Sequence, residues 1–180
     1  MITNLILVCV AVAIFIAYNA VAIKLFKIPS SLSITFYHFE SIRKGLGWIF
    51  TVMMWVVTLL MFIPWIEVTE VISSWSHYLT FLPAITCIAL LFSSMAGNAR
   101  HSEVVEKVHL IGAKLAAATA VIWICVVCWK IAYILPAWIL VLGGVAHLTK
   151  TAKFARDYWW EMVAFGATFT TLIVELVLHI

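Results

Sequence analysis

The residues of this chain best placed to do chemistry lie near its C-terminal end. Asp157, Glu161, Thr168, Thr171, Glu175 and His179, set at 100° per residue of an α-helix, fall within an arc of about 80°. Ala164 shares the arc, and Met162, Val163, Phe169, Ile173 and Val177 take the opposite side. Two uses fit a seam of carboxylates and hydroxyls on an otherwise apolar helix. It lines a hydrated path for protons or cations, with Glu161 and Glu175 as relay or selectivity groups. Alternatively it packs inward, each polar group satisfied by a neighbour. Glu175 carries most weight, because an ionisable group within an apolar stretch is costly unless it is used or paired.

A second set of titratable residues falls at the inner face of the expected bundle, on elements able to converge there: His38, Glu40, His101, Glu103, Glu106, His109, His147, Asp157 and Glu161. Glu106-x-x-His109 has the carboxylate–imidazole spacing of di-metal helical bundles, but no second such pair accompanies it. A mononuclear Zn²⁺ site needs three ligands and an open position for water. His38, His109 and His147 would supply the ligands, with Glu106 as base. The alternative is that these are solvated loop residues. Cys125-x-x-Cys128 is a third candidate, read either as a redox pair or as two thiols packed at helical spacing. No Gly-rich phosphate loop, nucleophile elbow or His-Glu-x-x-His pair is present.

The elements that must position these residues are membrane spans. Of the 180 residues, 66% are hydrophobic and 11% charged, too little polar surface to cover a water-exposed globule of this size. A lipid crossing takes about 20 mostly apolar residues, and six stretches meet that: 2–23, 45–64, 77–96, 108–128, 134–148 and 158–178. Runs such as Leu5–Ala17 do not alternate as barrel strands do, so the expectation is an all-α polytopic bundle forming one membrane-embedded domain over residues 1–180. The first stretch lacks the basic flank of a cleavable signal. Pro64 and Pro136 fall at predicted span ends, whereas Pro83 falls inside the third span and is expected to kink it. Gly97 and Asn98 read as a helix cap.

Basic residues sit in alternate loops: Lys24, Lys27, Arg43 and Lys44, then Arg100 and Lys107, then Lys150, Lys153 and Arg156. The second loop has Glu67 and Glu70 instead. By the positive-inside rule the odd loops are cytoplasmic and both termini lie outside, as in a bacterial inner membrane. The charges alternate with spans and form no single groove, so nucleic acid is excluded as a partner and membrane lipid is expected. Within the first loop, Ile34–Lys44 reads as an amphipathic segment in the interface or as a lid over an inner-facing site. On the fourth span Gly112, Ala113, Ala116, Ala117 and Ala120 make a small-residue face suited to close helix contact, within the chain or between copies. Lys114 points off that face and is expected to reach the headgroups.

Ile28-Pro29-Ser30-Ser31-Leu32-Ser33-Ile34-Thr35-Phe36-Tyr37, the segment Gly45–Phe50 and Glu106-Lys107-Val108-His109 resemble motifs of small polytopic bacterial membrane proteins without an assigned activity. That resemblance implies the architecture and transfers no site residue. The chain is also similar to polytopic hydrolases that include the alkaline ceramidases, which hold zinc through histidines among membrane helices. It lacks their late His-x-x-x-His pair. Membrane oxidoreductases passing electrons from thiols to quinone resemble it in size and in Cys125-x-x-Cys128, but need a second pair in an outer loop. Here the other cysteines are Cys9 and Cys87, inside spans. The leading expectation is a non-enzymatic, homo-oligomeric pathway for protons, cations or a small solute, lined by Glu161, Thr168, Thr171, Glu175 and His179. The alternatives are a zinc-dependent lipid hydrolase at the inner face and an accessory subunit acting with a membrane partner.

Overall fold

A computed structural model describes residues 1–95 and 102–180. The expected end of the third span at Ala96, the cap at Gly97 and Asn98, and the polar residues Arg100 and His101 lie outside the described residues. Seven α-helices are described: α1 (Ile2–Phe26), α2 (Ile34–Ile42), α3 (Trp48–Val71), α4 (Phe81–Ser93), α5 (Glu103–Ile122), α6 (Ile134–Leu148) and α7 (Arg156–Leu178). There is no strand among the described residues. Six stretches are long and apolar enough to cross a membrane: Ile2–Phe26, Trp48–Val71, Ser76–Ser93, Glu103–Val127, Trp129–Leu148 and Arg156–Leu178. Only helices can satisfy their own backbone segment by segment in hydrocarbon, so the apolar runs fold as helices.

The helix ends differ from the sequence expectation where prolines are concerned. Pro64 lies inside α3, which continues for seven residues to Val71. Trp65, Val68 and Thr69 beyond it are fully buried, and their packing holds the helix past the hydrogen bond that proline removes. Pro83 is the third residue of α4, in the first turn, where its missing N–H would have no intrahelical partner anyway. It therefore opens α4 and puts no kink inside it. A separate 3₁₀ turn, Ser76–Leu79, precedes the helix.

α1 packs on α3 and α7, α4 on both α3 and α5, and α6 on α7. The buried apolar residues form one connected core, with Phe15, Met54, Trp65, Trp123 and Leu172 among them. Polar contacts within the bundle are few and specific. The Trp123 indole N–H donates to Thr69 Oγ1 at 2.8 Å, and Thr86 and Thr119 share a hydrogen bond at 2.7 Å between α4 and α5. Asn4 donates to Glu67 Oε2 at 2.6 Å. α2 is not a detached surface helix: Thr35, Phe36 and Phe39 are buried, and Phe36 closes over Gly47, where an added Cβ would meet it at 2.8 Å.

α5 ends irregularly. Its last turn widens into a π-helix over Trp123–Val127, with Cys128 N–H donating to the Trp123 carbonyl at 3.2 Å. Such a widened turn shifts the residues after it around the helix axis, and Cys128 is thereby turned into the core, 1% exposed.

Candidate functional site

The polar seam of α7 divides into two halves with different surroundings. Glu161 and Thr168 line a cavity of about 530 Å³ bounded by α3, α4, α5 and α7. Thr171, Glu175 and His179 do not line it. Thr171 is fully buried, and its hydroxyl oxygen has no hydrogen-bond partner among the described residues. Glu175 is buried beneath Cys128, whose thiol is within hydrogen-bonding reach of the carboxylate, and Lys130 acts on it electrostatically. His179 Nδ1 lies 3.7 Å from Glu175 Oε2 and donates to the Glu175 carbonyl at 2.8 Å.

The cavity owes its volume to alanines. Gly112 takes the close helix contact expected of the small-residue face: a Cβ there would meet the Ala89 carbonyl oxygen of α4 at 2.9 Å and Ser93 N at 3.2 Å. Ala116 and Ala120 are buried beside it. One step round α5, Ala113 and Ala117 face the cavity together with Ala116 and Ala120, because α5 packs mainly on α4 and its side chains here are short. At Gly112 the small-residue face makes a close contact within the chain. One edge closes on α4 and the other leaves space. The opposite wall is Met54, Met61 and Trp65 of α3, and Ala164 and Phe165 of α7 complete the apolar depth. The indole N–H of Trp65 is buried without an acceptor among the described residues.

The mouth is polar. Ser31 and Ser33 come from the α1–α2 connection, His109 and Lys114 from α5, and Arg156, Asp157 and Glu161 from the start of α7. The exposed lip residues Leu110, Lys114 and Ala117 on α5 and Trp160 on α7 place the opening along the α5–α7 flank. Two contacts hold the α1–α2 connection against α7. The Tyr158 N–H, an otherwise unused donor of the first turn, donates to the Ser30 carbonyl at 3.1 Å. The Leu32 N–H donates to Glu161 Oε2 at 2.5 Å. The connection is the rim of the cavity, and Pro29 and the serines form that rim in place of a side-chain cap on α2, which is absent.

The histidines expected as metal ligands are not brought together. His38 stacks on Phe26 with ring centroids 5.1 Å apart. His147 is exposed on α6. Glu106, expected as the base of that site, is exposed, because α5 begins at Glu103 and its first turns stand clear of the bundle. Only His109 lies at the cavity. Its Nδ1 faces the Ser93 carbonyl, which can only accept, so Nδ1 carries the proton. Among the described residues no three His, Cys, Asp or Glu side chains gather into a metal-ligand set. Cys125 is exposed on the lipid-facing side and Cys128 buried, both as free thiols.

The sequence does not mark Met54, Met61 and Trp65 as the wall of a cavity. The one sequence signal for it was the recurrence of alanine around Lys114. Compared with known proteins, the chain matches no family model, no curated protein and no solved structure.

Proposed function

We propose that this protein is a non-enzymatic membrane carrier whose small amphiphilic solute occupies the cavity between α3, α5 and α7. The basic end of the bundle then faces the cytoplasm of a bacterial inner membrane, and solute enters there. The observation that carries this reading is the cavity, polar at the mouth and apolar within, with Glu161 and Thr168 of the α7 seam on its wall. Its volume falls in the range of small-molecule sites, about 300–1,000 Å³. A continuous proton or cation wire along α7 is less favoured, because Thr171 is enclosed between the cavity and Glu175 with no hydrogen-bond partner among the described residues. Glu175, Cys128 and His179 occupy the closed end, where an alternating carrier needs a second gate.

Reconstituted protein tests this. Wild type is expected to move an amphiphile across proteoliposomes, and Ala117→Trp, which fills the cavity from an exposed position, to reduce that flux at least tenfold while helicity is kept. Absence of flux in wild type, or equal flux in the variant, overturns the reading. Glu175→Gln examines the closed end: loss of flux with unchanged solute binding places it in gating.

A further inference from the structure

We propose that an anionic phospholipid binds in the groove between α6 and α7, with its phosphate on Arg156 and one acyl chain beside Gly143. The proposal does not depend on what the larger cavity carries. The two helices are joined at two levels. Towards one end the Trp138 indole N–H donates to Thr170 Oγ1 at 3.1 Å, and an added Cβ on Gly166 would meet the Trp138 ring at 2.7 Å. Towards the other the Trp159 indole N–H donates to Thr151 Oγ1 at 2.9 Å, where the chain turns from α6 to α7. Between these joints α6 offers Ile139, Gly143 and Ala146, and α7 offers Arg156, Trp160 and Val163. Each set recurs at spacings of four and three, on one helical face. Gly143 has no side chain to fill the space, and an added Cβ there would meet nothing within 4 Å. The result is a second cavity, of about 170 Å³.

Arg156 is the one charged residue lining this groove, and it stands at the start of α7, at the membrane boundary. From Arg156 to Val163 the wall runs about 10 Å, against about 15 Å for one leaflet of a ~30 Å hydrocarbon core. Lys150 and Lys153 lie in the same connection and are exposed. Neither takes part in an ion pair among the described residues. Asp157 is the one acid over residues 149–160. It meets Arg156 Nε at 3.3 Å, with the two side chains 68% and 74% exposed. So open a pair contributes little, and it leaves the terminal guanidinium nitrogens to take a phosphate by parallel hydrogen bonds. Three cations against one acid favour an anionic headgroup, as basic pockets between helices at this level do. The tail adds no selection of its own, because lipid chains are as apolar as the groove, but a free anion would leave the groove unfilled. Trp160 lines both this groove and the larger cavity, so the bound lipid stands beside the mouth of that cavity.

Native mass spectrometry of the purified protein, titrated with phosphatidylglycerol or with phosphatidylcholine of the same acyl chains, tests the site. One phosphatidylglycerol per chain is expected to be held at least tenfold more tightly than phosphatidylcholine. Arg156→Gln should remove that preference, and Arg156→Lys should keep part of it. Gly143→Leu puts a side chain into open space and leaves every charge in place. It should weaken phosphatidylglycerol at least tenfold with helicity kept. Lys107→Gln, on α5 and already paired with Glu103, controls for general surface charge and should change nothing. Equal retention of the two lipids, an unchanged preference in Arg156→Gln, or an equal loss in Lys107→Gln overturns the proposal. Unchanged retention by Gly143→Leu also overturns it, since the headgroup would then bind with no chain in the groove. So does displacement of the lipid by inorganic phosphate, which would make this a site for the free anion.

Discussion

The Glu161 carboxylate of α7 accepts the backbone N–H of Leu32 at 2.5 Å across 129 residues of sequence. This bond, with the Tyr158 N–H to Ser30 carbonyl contact beside it, fixes the α1–α2 connection as the rim of the cavity. A hydrogen bond to a charged group contributes about 1.5–3 kcal/mol. Glu161→Ala is therefore expected to free the Leu32 amide, raising hydrogen exchange over residues 30–33 by at least tenfold. Glu161→Gln retains a carbonyl acceptor and should raise it less. Equal exchange in all three proteins would remove the rim contact.

Gly112 sits at a close approach of α5 to α4. An added Cβ meets a carbonyl oxygen of the Ala89 backbone at 2.9 Å, and a backbone atom inside a packed helix cannot swing aside. Gly112→Val should destabilise the bundle by about 1–3 kcal/mol, the usual cost of overpacking, and Gly112→Ala by less. Ala113→Val, on the cavity edge of the same helix, should be nearly neutral. Chemical unfolding in detergent measures all three, and equal losses at 112 and 113 would contradict the division of the α5 face.

Six crossings were legible in the sequence because lipid leaves the backbone few alternatives, and a composition-based count needs no tertiary information. The helix ends were less legible. Pro64 reads as a stop, yet burial of Trp65, Val68 and Thr69 carries α3 past it, and that packing depends on α1 and α5. The α7 arc was legible from a period of 3.6, and Glu161 and Thr168 do share one wall. Its division was not, because Glu175 meets Cys128 only through the π-turn that ends α5. Alanine at 113 and 117 signals close packing in a pattern, and becomes a cavity only when the neighbouring helix leans the other way.

Trp123 donates to Thr69 Oγ1 at 2.8 Å, joining α5's irregular end to α3, and its ring meets that of Trp65 edge-on with centroids 5.3 Å apart. Trp123→Phe keeps an aromatic ring and loses the donor. Interhelical hydrogen bonds in membrane proteins contribute on average about 0.6 kcal/mol and at most about 1.7. A double-mutant cycle of Trp123→Phe with Thr69→Val should return a coupling in that range. The coupling should vanish when Trp123→Phe is paired with the remote Thr149→Val instead. A coupling of zero for the first pair would show the bond to be energetically idle.

The four thiols report the packing of the bundle independently of any function. Cys9 and Cys125 are exposed, and Cys87 and Cys128 are buried. Exposure here faces the lipid, so a membrane-permeant maleimide is the appropriate reagent and a charged one is not. Folded protein should take up two labels, at Cys9 and Cys125, and the other two only after denaturation, as peptide mass spectrometry would show. Cys128 is the discriminating position. It follows Cys125 by three residues, on nearly the same face of a regular α-helix, so a regular helix would label both or neither. The π-turn over Trp123–Val127 separates their environments and puts Cys128 against Glu175. Labelling of Cys128 in the folded protein at the rate of Cys125 would mean that α5 ends without that turn and that Glu175 lacks its neighbour.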